Sequence, residues 1–196
     1  MAANPKDLTG HYFSLDEYFA LEQVSDARFE YWDGAIVCMS GGSQQHGQIS
    51  SNVHYRLRRG LEGGGCRAFT GDQCVKTPTL PPYRYPDASA ACGEIKYQHI
   101  HGVDALVNPV LIVEVLSPTT ATLDQGEKFA AYQAIETFAE YLLVAQDAPR
   151  VTLYTRQPGG AWTRRDVIDT DADLPLESVG CALRMRDIYE GVSFPV

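Results

Sequence analysis

The sequence lacks the features that mark membrane, secreted and disulfide-rich proteins. No apolar run in its 196 residues approaches the roughly 20 residues that span a bilayer, and residues 1–7 have no apolar signal-peptide core. Its five cysteines form no Cys-x-x-Cys pair. We therefore expect a soluble, cytoplasmic protein with no membrane partner, no disulfide framework and no cysteine zinc site.

Positive charge is also scarce. The chain has 16 Lys and Arg against 25 Asp and Glu, a formal net charge of -9, which repels nucleic acid and anionic membranes at long range. The marked basic concentration is Arg56, Arg58 and Arg59, with Arg67 nearby. These arginines are weak candidates for phosphate contacts, and a solvated helix end is the favoured interpretation.

Several catalytic signatures are missing. The sequence has no Gly-x-Ser-x-Gly elbow, no phosphate-binding loop and no dinucleotide fingerprint. The glycines at 63–65 follow a predicted helix, whereas a phosphate-binding glycine loop opens one. These absences exclude the common serine hydrolase, P-loop and Rossmann classes.

Three patterns organise the first third of the chain. A capping box from Ser14 to Glu17 predicts a short helix, and the Asp33-Gly34 pair within residues 27–39 predicts a β-hairpin. A second helix is predicted over residues 43–61, because apolar residues recur there at spacings of three and four along one face that begins at His46.

The rest of the chain alternates strand patterns with one helix. We predict a helix over residues 123–138, preceded by a capping box at Thr122 and Gln125, and an irregular loop over residues 93–108. No linker or repeat interrupts the pattern, so a single domain over residues 1–196 with a mixed α/β fold is expected. The predicted strands are 66–75, 83–92, 110–116, 141–145, 150–155 and 162–168.

Glu114 lies near the end of the most apolar run, residues 109–118. An ionised carboxylate in a buried central strand costs several kcal/mol unless it is paired or binds a metal. Asp87 follows Pro86 in the predicted strand 83–92, and if the two strands are neighbours these carboxylates converge. Two carboxylates suit Mg²⁺ or Mn²⁺ better than zinc. The structural alternative is a turn at Asp87 and an ion pair between Glu114 and Arg84 or Lys128.

The helix after Glu114 carries a candidate catalytic cation. Asp124, Lys128 and Tyr132 follow one another at steps of four and share one helix face. A lysine on this face can point back to the strand end, where it would stabilise the charge that develops during phosphodiester hydrolysis. The alternative is a surface lysine paired with Asp124.

The histidines give weaker signals. His46 precedes the second predicted helix, and a lone histidine there is more often a packing residue than a ligand or base. His99, His101 and Asp104 form a second constellation, but no third well-spaced soft ligand accompanies them. We interpret this second group as a solvated loop.

The order and spacing of several segments from about residue 15 to 192 resemble the Uma-two family of endonucleases, a bacterial branch of the PD-(D/E)XK nuclease superfamily. The resemblance implies a restriction-endonuclease-like fold, in which a central mixed sheet is flanked by helices. It also implies Mg²⁺-dependent cleavage of nucleic acid, with DNA as the expected substrate and a homodimer as an expected assembly. The matching segments are Phe29-Glu-Tyr-Trp-Asp-Gly34, His46, Tyr85-Pro-Asp-Ala-Ser89, Val113-Glu-Val-Leu-Ser-Pro-Thr119, Asp124 through Lys128 to Tyr132, and Glu140-Tyr-Leu-Leu-Val144.

Carried over by position, the resemblance makes Asp87 and Glu114 the metal-binding acids and Glu30 a further acid of the site. The superfamily expects a lysine two residues after the second acid, where this chain has Leu116. In the family the lysine stands on the following helix, at Lys128.

The same match makes His46, Asp124 and Tyr132 additional candidates. The missing lysine at 116 and the acidic composition favour an alternative, a catalytically inactive module that binds nucleic acid or a protein.

Overall fold

A six-stranded mixed sheet forms the centre of the computed structural model, which describes residues 12–32, 34–39, 42–79, 82–118 and 120–194. Strands β9 and β10 run parallel, and every other neighbouring pair in this sheet is antiparallel. The expected central mixed sheet flanked by helices is confirmed. In spatial order the strands are β12 (Trp162–Val167), β11 (Val151–Arg156), β10 (Glu140–Ala145), β9 (Leu111–Leu116), β6 (Ala88–Cys92) and β3 (Cys66–Thr70).

Strand β9 lies in the interior of the sheet, as its apolar sequence predicts. Leu111, Val113 and Val115 pack into the core on one face, and Ile112 packs into the core on the other. Both faces are therefore covered, which is typical of a strand without polar alternation. Glu114 points to the same face as Ile112, because successive side chains alternate.

Helix α2 (Gln44–Gly60) covers the first face of the sheet, and its prediction from periodicity is confirmed. Ser43 caps the helix by accepting a hydrogen bond from the His46 backbone N–H at 3.0 Å. Three elements that the sequence did not predict pack on the same face: β13 (Asp173–Leu176), β14 (Cys181–Arg184) and α5 (Met185–Ile188).

The second face is covered by an interrupted helix. It consists of α3 (Ala121–Leu123), a π-helical turn (Asp124–Lys128) and α4 (Phe129–Gln133). The predicted helix 123–138 is therefore placed too late at both ends, and the predicted capping box at Thr122 is wrong. Residues 134–138 form turns instead, and there the Thr137 hydroxyl donates to the Pro109 carbonyl at 2.8 Å and ties the chain to the sheet.

The N-terminal elements pack beside a smaller sheet. The capping box of α1 (Leu15–Val24) and the hairpin of β1 (Phe29–Trp32) and β2 (Ala35–Cys38) are confirmed, although Asp33 of the turn lies outside the described residues. The smaller sheet has four strands, which in spatial order are β5 (Tyr83–Arg84), β4 (Val75–Lys76), β8 (Val103–Leu106) and β7 (Tyr97–Ile100).

Two predicted strands are each divided between the two sheets. Residues 66–75 contain β3 of the central sheet and β4 of the smaller sheet, and residues 83–92 likewise contain β5 and β6. The break in the second segment falls at Pro86 and Asp87, because proline cannot donate to a strand ladder. Asp87 therefore lies at the crossing between the sheets.

The prediction of an irregular loop over residues 93–108 is wrong. Strands β7 and β8 form an antiparallel hairpin there, and its turn has positive φ at His101 (45°) and Gly102 (82°). Two consecutive residues with positive φ fit a two-residue hairpin turn of the primed type. The His-Gly pair was the signal in the sequence that was not used.

The expectation of no disulfide is also wrong, because Cys66 and Cys92 are bonded. They face each other in the antiparallel register of β3 and β6, a pairing that cysteine spacing alone does not reveal. Cys74 and Cys181 are free thiols. No helix in the described ranges is long and apolar enough to cross a membrane.

Replacing Gly34 by alanine should destabilise the fold by about 1–2 kcal/mol, because the backbone φ is +90° there and residues other than glycine rarely adopt that conformation. An added Cβ would also lie 2.2 Å from the Tyr12 ring, which must then move. Gly47→Ala is the matched control: it lies within α2 with no atom near the added Cβ, and should stabilise by about 0.5–1 kcal/mol. Urea denaturation measures the stability change of each variant. Equal changes for Gly34→Ala and Gly47→Ala would contradict a conformational requirement for glycine at position 34.

Reducing the Cys66–Cys92 bond should lower the free energy of unfolding by about 3 kcal/mol, because the bond joins residues 26 apart and restricts the unfolded chain. Denaturation with and without a phosphine reductant measures the effect. A Cys66→Ala/Cys92→Ala variant should be insensitive to the reductant, whereas Cys38→Ala should respond like the wild type. Equal stability of the oxidised and reduced wild type would contradict the expected effect.

Candidate active site

The two acids that the sequence singles out come from adjacent strands. Ala88 of β6 pairs with Val113 of β9, so Asp87 and Glu114 occupy neighbouring positions at the same end of the sheet. The Val115 backbone N–H donates to Asp87 Oδ2 at 2.6 Å. The condition for their convergence, that the two strands are neighbours, is therefore met.

Lys128 lies at the centre of three carboxylates. Its Nζ is 3.2 Å from Glu30 Oε1, 3.3 Å from Glu114 Oε1 and 3.2 Å from Asp124 Oδ1. The Lys128 side chain is 2% exposed, and its three partners are comparably buried. Lys128 thus points back from the helix to the strand end, and the alternative of a surface lysine is wrong.

Burial and the attraction between opposite charges shift the pKa values of this cluster in opposite directions. Burial disfavours the charged ammonium of Lys128, but attraction by Glu114, Glu30 and Asp124 outweighs it and raises the Lys128 pKa above its usual value. Burial raises the pKa of Glu114 well above its usual range and raises that of Asp124 as well, although Lys128 opposes both shifts. Lys128 is therefore protonated at neutral pH, and it can stabilise negative charge but cannot accept a proton.

The π-helical turn brings Asp124 and Lys128 into one ion pair at its two ends. Tyr132, one turn further, donates its hydroxyl to Glu114 Oε1 at 3.0 Å, and the Tyr141 hydroxyl of β10 donates to the Asp124 carbonyl at 3.0 Å. Departures of this kind from α-helical geometry are frequent at functional sites. Two of the three side chains on the predicted helix face, Lys128 and Tyr132, thus contact Glu114.

Glu30 is held by groups from three segments. Its Oε2 accepts from the Trp32 indole N–H at 3.0 Å, and its Oε1 accepts from the Tyr85 backbone N–H at 3.0 Å, beside the contact with Lys128. The position that the resemblance assigned to an acid is therefore a fully bonded, 1% exposed carboxylate.

Arg84 lies against Trp32, the residue whose indole N–H binds Glu30. Its guanidinium lies 3.6 Å from the Trp32 ring centroid and donates to the backbone carbonyls of Tyr31 (2.8 Å) and Tyr83 (3.0 Å). Burial lowers the Arg84 pKa, and the charge of Glu30 opposes that shift. Sequence reasoning considered Arg84 only as a partner for Glu114.

Asp87 differs from the other acids because its side chain is 20% exposed. Its Oδ1 lies 3.2 Å from His46 Nε2 and accepts from the Ser50 hydroxyl at 3.4 Å. The hydrogen bond to Asp87 raises the His46 pKa, and partial burial opposes the shift. Ser50, one helical turn after His46, was missed, although its position on the same face was a usable signal.

The remaining candidates lie away from this cluster or pair elsewhere. Arg56 is bound to Asp187 (3.5 Å) and Glu190 (2.7 Å), and Arg59 is bound to Glu62 at 3.1 Å. Arg58 is exposed. His99 contacts Asp104 on the exposed β7–β8 hairpin, while the His101 ring packs against Phe19 at 5.0 Å between centroids.

Within the described ranges, no three His, Cys, Asp or Glu side chains are grouped so that they could hold a metal ion. The donor chemistry of the cluster nevertheless suits a hard cation, because every candidate ligand is a carboxylate oxygen. Glu30, Glu114 and Asp124 are buried around one ammonium, and the charge of nearby Asp87 further raises the Glu114 pKa. Three carboxyl groups thus share the one ammonium of Lys128.

Comparisons with known proteins identify a matching family and similar chains. The family model described as "Uma2: Putative restriction endonuclease" matches residues 15–186. Two relatives from Synechocystis sp. are each described as an uncharacterized protein. The first, slr1290, is 32% identical over 181 residues, covering 92% of this chain and 93% of the relative. The second, sll1609, is 28% identical over 158 residues, covering 81% of this chain and 89% of the relative.

A crystal structure of "a putative nuclease belonging to DUF820" from Anabaena variabilis has the same fold. It superposes with a TM-score of 0.72 at 19% sequence identity, covering 92% of this chain and 99% of that chain. At this identity the similarity concerns the fold.

Lys128→Met should destabilise the protein by about 3–5 kcal/mol at pH 7, because it leaves Glu30, Glu114 and Asp124 buried without their shared cation. Urea denaturation against Lys96→Met, which removes an exposed lysine, measures the loss. A cost below about 1 kcal/mol would mean that the ion pairs are as weak as surface pairs.

The loss of stability caused by Lys128→Met should also depend on pH. In the wild type Lys128 lowers the pKa values of Glu114 and Asp124, so its removal raises both further, and the folded variant binds more protons than the folded wild type. The free energy of unfolding of the variant therefore rises as the pH falls from 7 towards 5. The difference between the free energies of unfolding of the wild type and the variant narrows over the same range. A difference that widens over this range would contradict the assignment.

Proposed function

The chain belongs to the Uma2 family, and from that premise we propose that it is a metal-dependent endonuclease that hydrolyses phosphodiester bonds. The observation that carries the proposal is the cluster at one end of the central sheet. There a buried, charged Lys128 joins three carboxylates beside the partly exposed Asp87. Phosphodiester hydrolysis requires a group that stabilises charge on the phosphate and acids that bind a cation.

Asp87 and Glu114 would hold Mg²⁺ or Mn²⁺. Such an ion, when bound, would polarise the phosphate and lower the pKa of water. The Val115 N–H, Ser50 and His46 orient Asp87, and Lys128 and Tyr132 orient Glu114 through the same oxygen, Oε1.

Lys128 acts in this proposal as an electrostatic group. Its raised pKa keeps it charged, so it stabilises negative charge on the phosphate, and the proton of the attacking water must go elsewhere. Glu30 of β1 and Asp124 of the same π-helical turn hold Lys128 in place. Because Asp87 is the exposed acid of the set, the substrate approaches from its side.

Cleavage of supercoiled plasmid and of single-stranded DNA by the purified protein tests the proposal. With Mg²⁺ or Mn²⁺ the wild type should cut, and Asp87→Asn should lose about 100-fold or more of the rate, because the isosteric amide no longer provides a charged ligand. Asp171→Asn is the matched control, since the Asp171 side chain is 81% exposed and lies outside the cluster.

Equal background rates for the wild type and Asp87→Asn with both metals would contradict the enzyme assignment. That result would favour the alternative, an inactive member of the fold that binds nucleic acid or a protein partner. Two observations favour this alternative: Leu116 replaces the lysine of the superfamily pattern, and Lys128 is engaged by three carboxylates.

Three finer features stay predictions. DNA as the substrate and a homodimer as the assembly rest on the family resemblance alone. A cytoplasmic location rests on sequence composition, and the Cys66–Cys92 bond weakens the part of that argument that relied on reduced cysteines.

A further inference from the structure

The start of helix α2 is tied to the neighbouring end of the central sheet. The Ser43 hydroxyl accepts from the His46 backbone N–H at 3.0 Å and donates to Gln146 Oε1 at 2.7 Å. Gln146 directly follows β10. A helix cap usually serves its own helix, and this one also anchors the helix to a second element.

The same helix turn contacts Asp87. His46 Nε2 lies 3.2 Å from Asp87 Oδ1, while Asp87 Oδ2 accepts from the Val115 N–H at 2.6 Å. In the parallel register of β9 and β10, Val115 pairs with Val144, two residues before Gln146. The contacts therefore form a closed chain, from β10 through Ser43, His46 and Asp87 to β9.

Gly42 leaves room for the imidazole of His46. A Cβ at this position would lie 3.0 Å from His46 Nδ1 and 3.2 Å from His46 Cγ, closer than side chains ordinarily pack. A residue larger than glycine must displace the ring by a few tenths of an ångström. The absence of a side chain at residue 42 thus lets the ring keep its position beside Asp87.

Asp87 needs such support more than the other acids. Glu30, Glu114 and Asp124 are fixed by Lys128, whereas in the described part of the chain no lysine or arginine makes an ion pair with Asp87. Its orientation depends on hydrogen-bond donors alone. Groups that orient a ligating carboxylate commonly change metal affinity by about 10- to 100-fold when they are removed.

We propose that His46 is a positioning residue that orients the Asp87 carboxylate for metal binding, and that Ser43 and Gln146 hold His46 in place. The proposal rests on the proposed function, because it concerns the metal site assigned to Asp87 and Glu114. His46 acts through Asp87 and does not itself touch the substrate. Gln146 was not selected from the sequence, since nothing local distinguishes it from other surface glutamines.

Calorimetric titration of the full chain with Mn²⁺ alone tests this proposal without an activity assay. His46→Ala should bind Mn²⁺ about 10- to 100-fold more weakly than the wild type. His46→Gln, which keeps an N–H donor at a similar reach, should recover most of the affinity. Gln146→Ala and Gly42→Ala should each weaken binding by a smaller factor, because Asp87 keeps all its partners and only the placement of His46 changes.

His54→Ala is the matched control, since His54 lies on the same helix, half-exposed, and should bind Mn²⁺ like the wild type. Circular dichroism of each variant verifies the fold. Gln146→Ala and Gly42→Ala keep the test decisive if His46→Ala does not fold.

Three outcomes would overturn the positioning role. If Asp87→Asn loses Mn²⁺ affinity but His46→Ala and Gln146→Ala retain it, the positioning role is wrong and the metal site stands. If His46→Ala binds Mn²⁺ normally but loses cleavage activity, His46 acts on the reaction directly. If Asp87→Asn binds Mn²⁺ like the wild type, the metal site of the proposed function fails, and the positioning role fails with it.

Discussion

The structure of this site depends on one buried charge, the ammonium of Lys128. A lysine that is 2% exposed remains charged only where carboxylates compensate for the lost water, and Glu30, Glu114 and Asp124 do so from three elements. The ion pairs therefore join the β1–β2 hairpin, the central strand β9 and the π-helical turn at one point. The residues proposed to act in catalysis are therefore also residues that join these elements of the fold.

The cluster has two unlike parts. The part around Lys128 is dry and fixed by ion pairs, whereas Asp87 is partly exposed and fixed by hydrogen bonds from Val115, Ser50 and His46. A low-dielectric interior strengthens electrostatic stabilisation, and an exposed edge admits a charged substrate. The arrangement thus suits a reaction on a phosphate at the mouth of a buried charged site.

Much of this site could be predicted from local patterns. The apolar run around Glu114 identified the central strand, and the steps of four between Asp124, Lys128 and Tyr132 identified the helix face that meets it. Glu30 carries no such signal, because a glutamate in a short hairpin strand looks like a surface residue. It was found only through the family resemblance.

The features that were missed are non-local. The Cys66–Cys92 bond depends on the strand register that brings together two cysteines 26 residues apart, and the link from Ser43 to Gln146 joins residues 103 apart. Periodicity reports which face of an element is buried but not which element covers it. The π-helical turn escaped prediction for a related reason, since its sequence is compatible with an ordinary α-helix.

The central claim is that a divalent metal binds between Asp87 and Glu114, beside the ion pairs of Lys128. A crystal structure of the full chain with Mn²⁺, measured at a wavelength where manganese scatters anomalously, tests it most directly. The account predicts an anomalous peak in contact with carboxylate oxygens of both Asp87 and Glu114, with Lys128 still paired to Glu30 and Asp124. Absence of a peak there at a saturating Mn²⁺ concentration, or a peak elsewhere only, would contradict the claim.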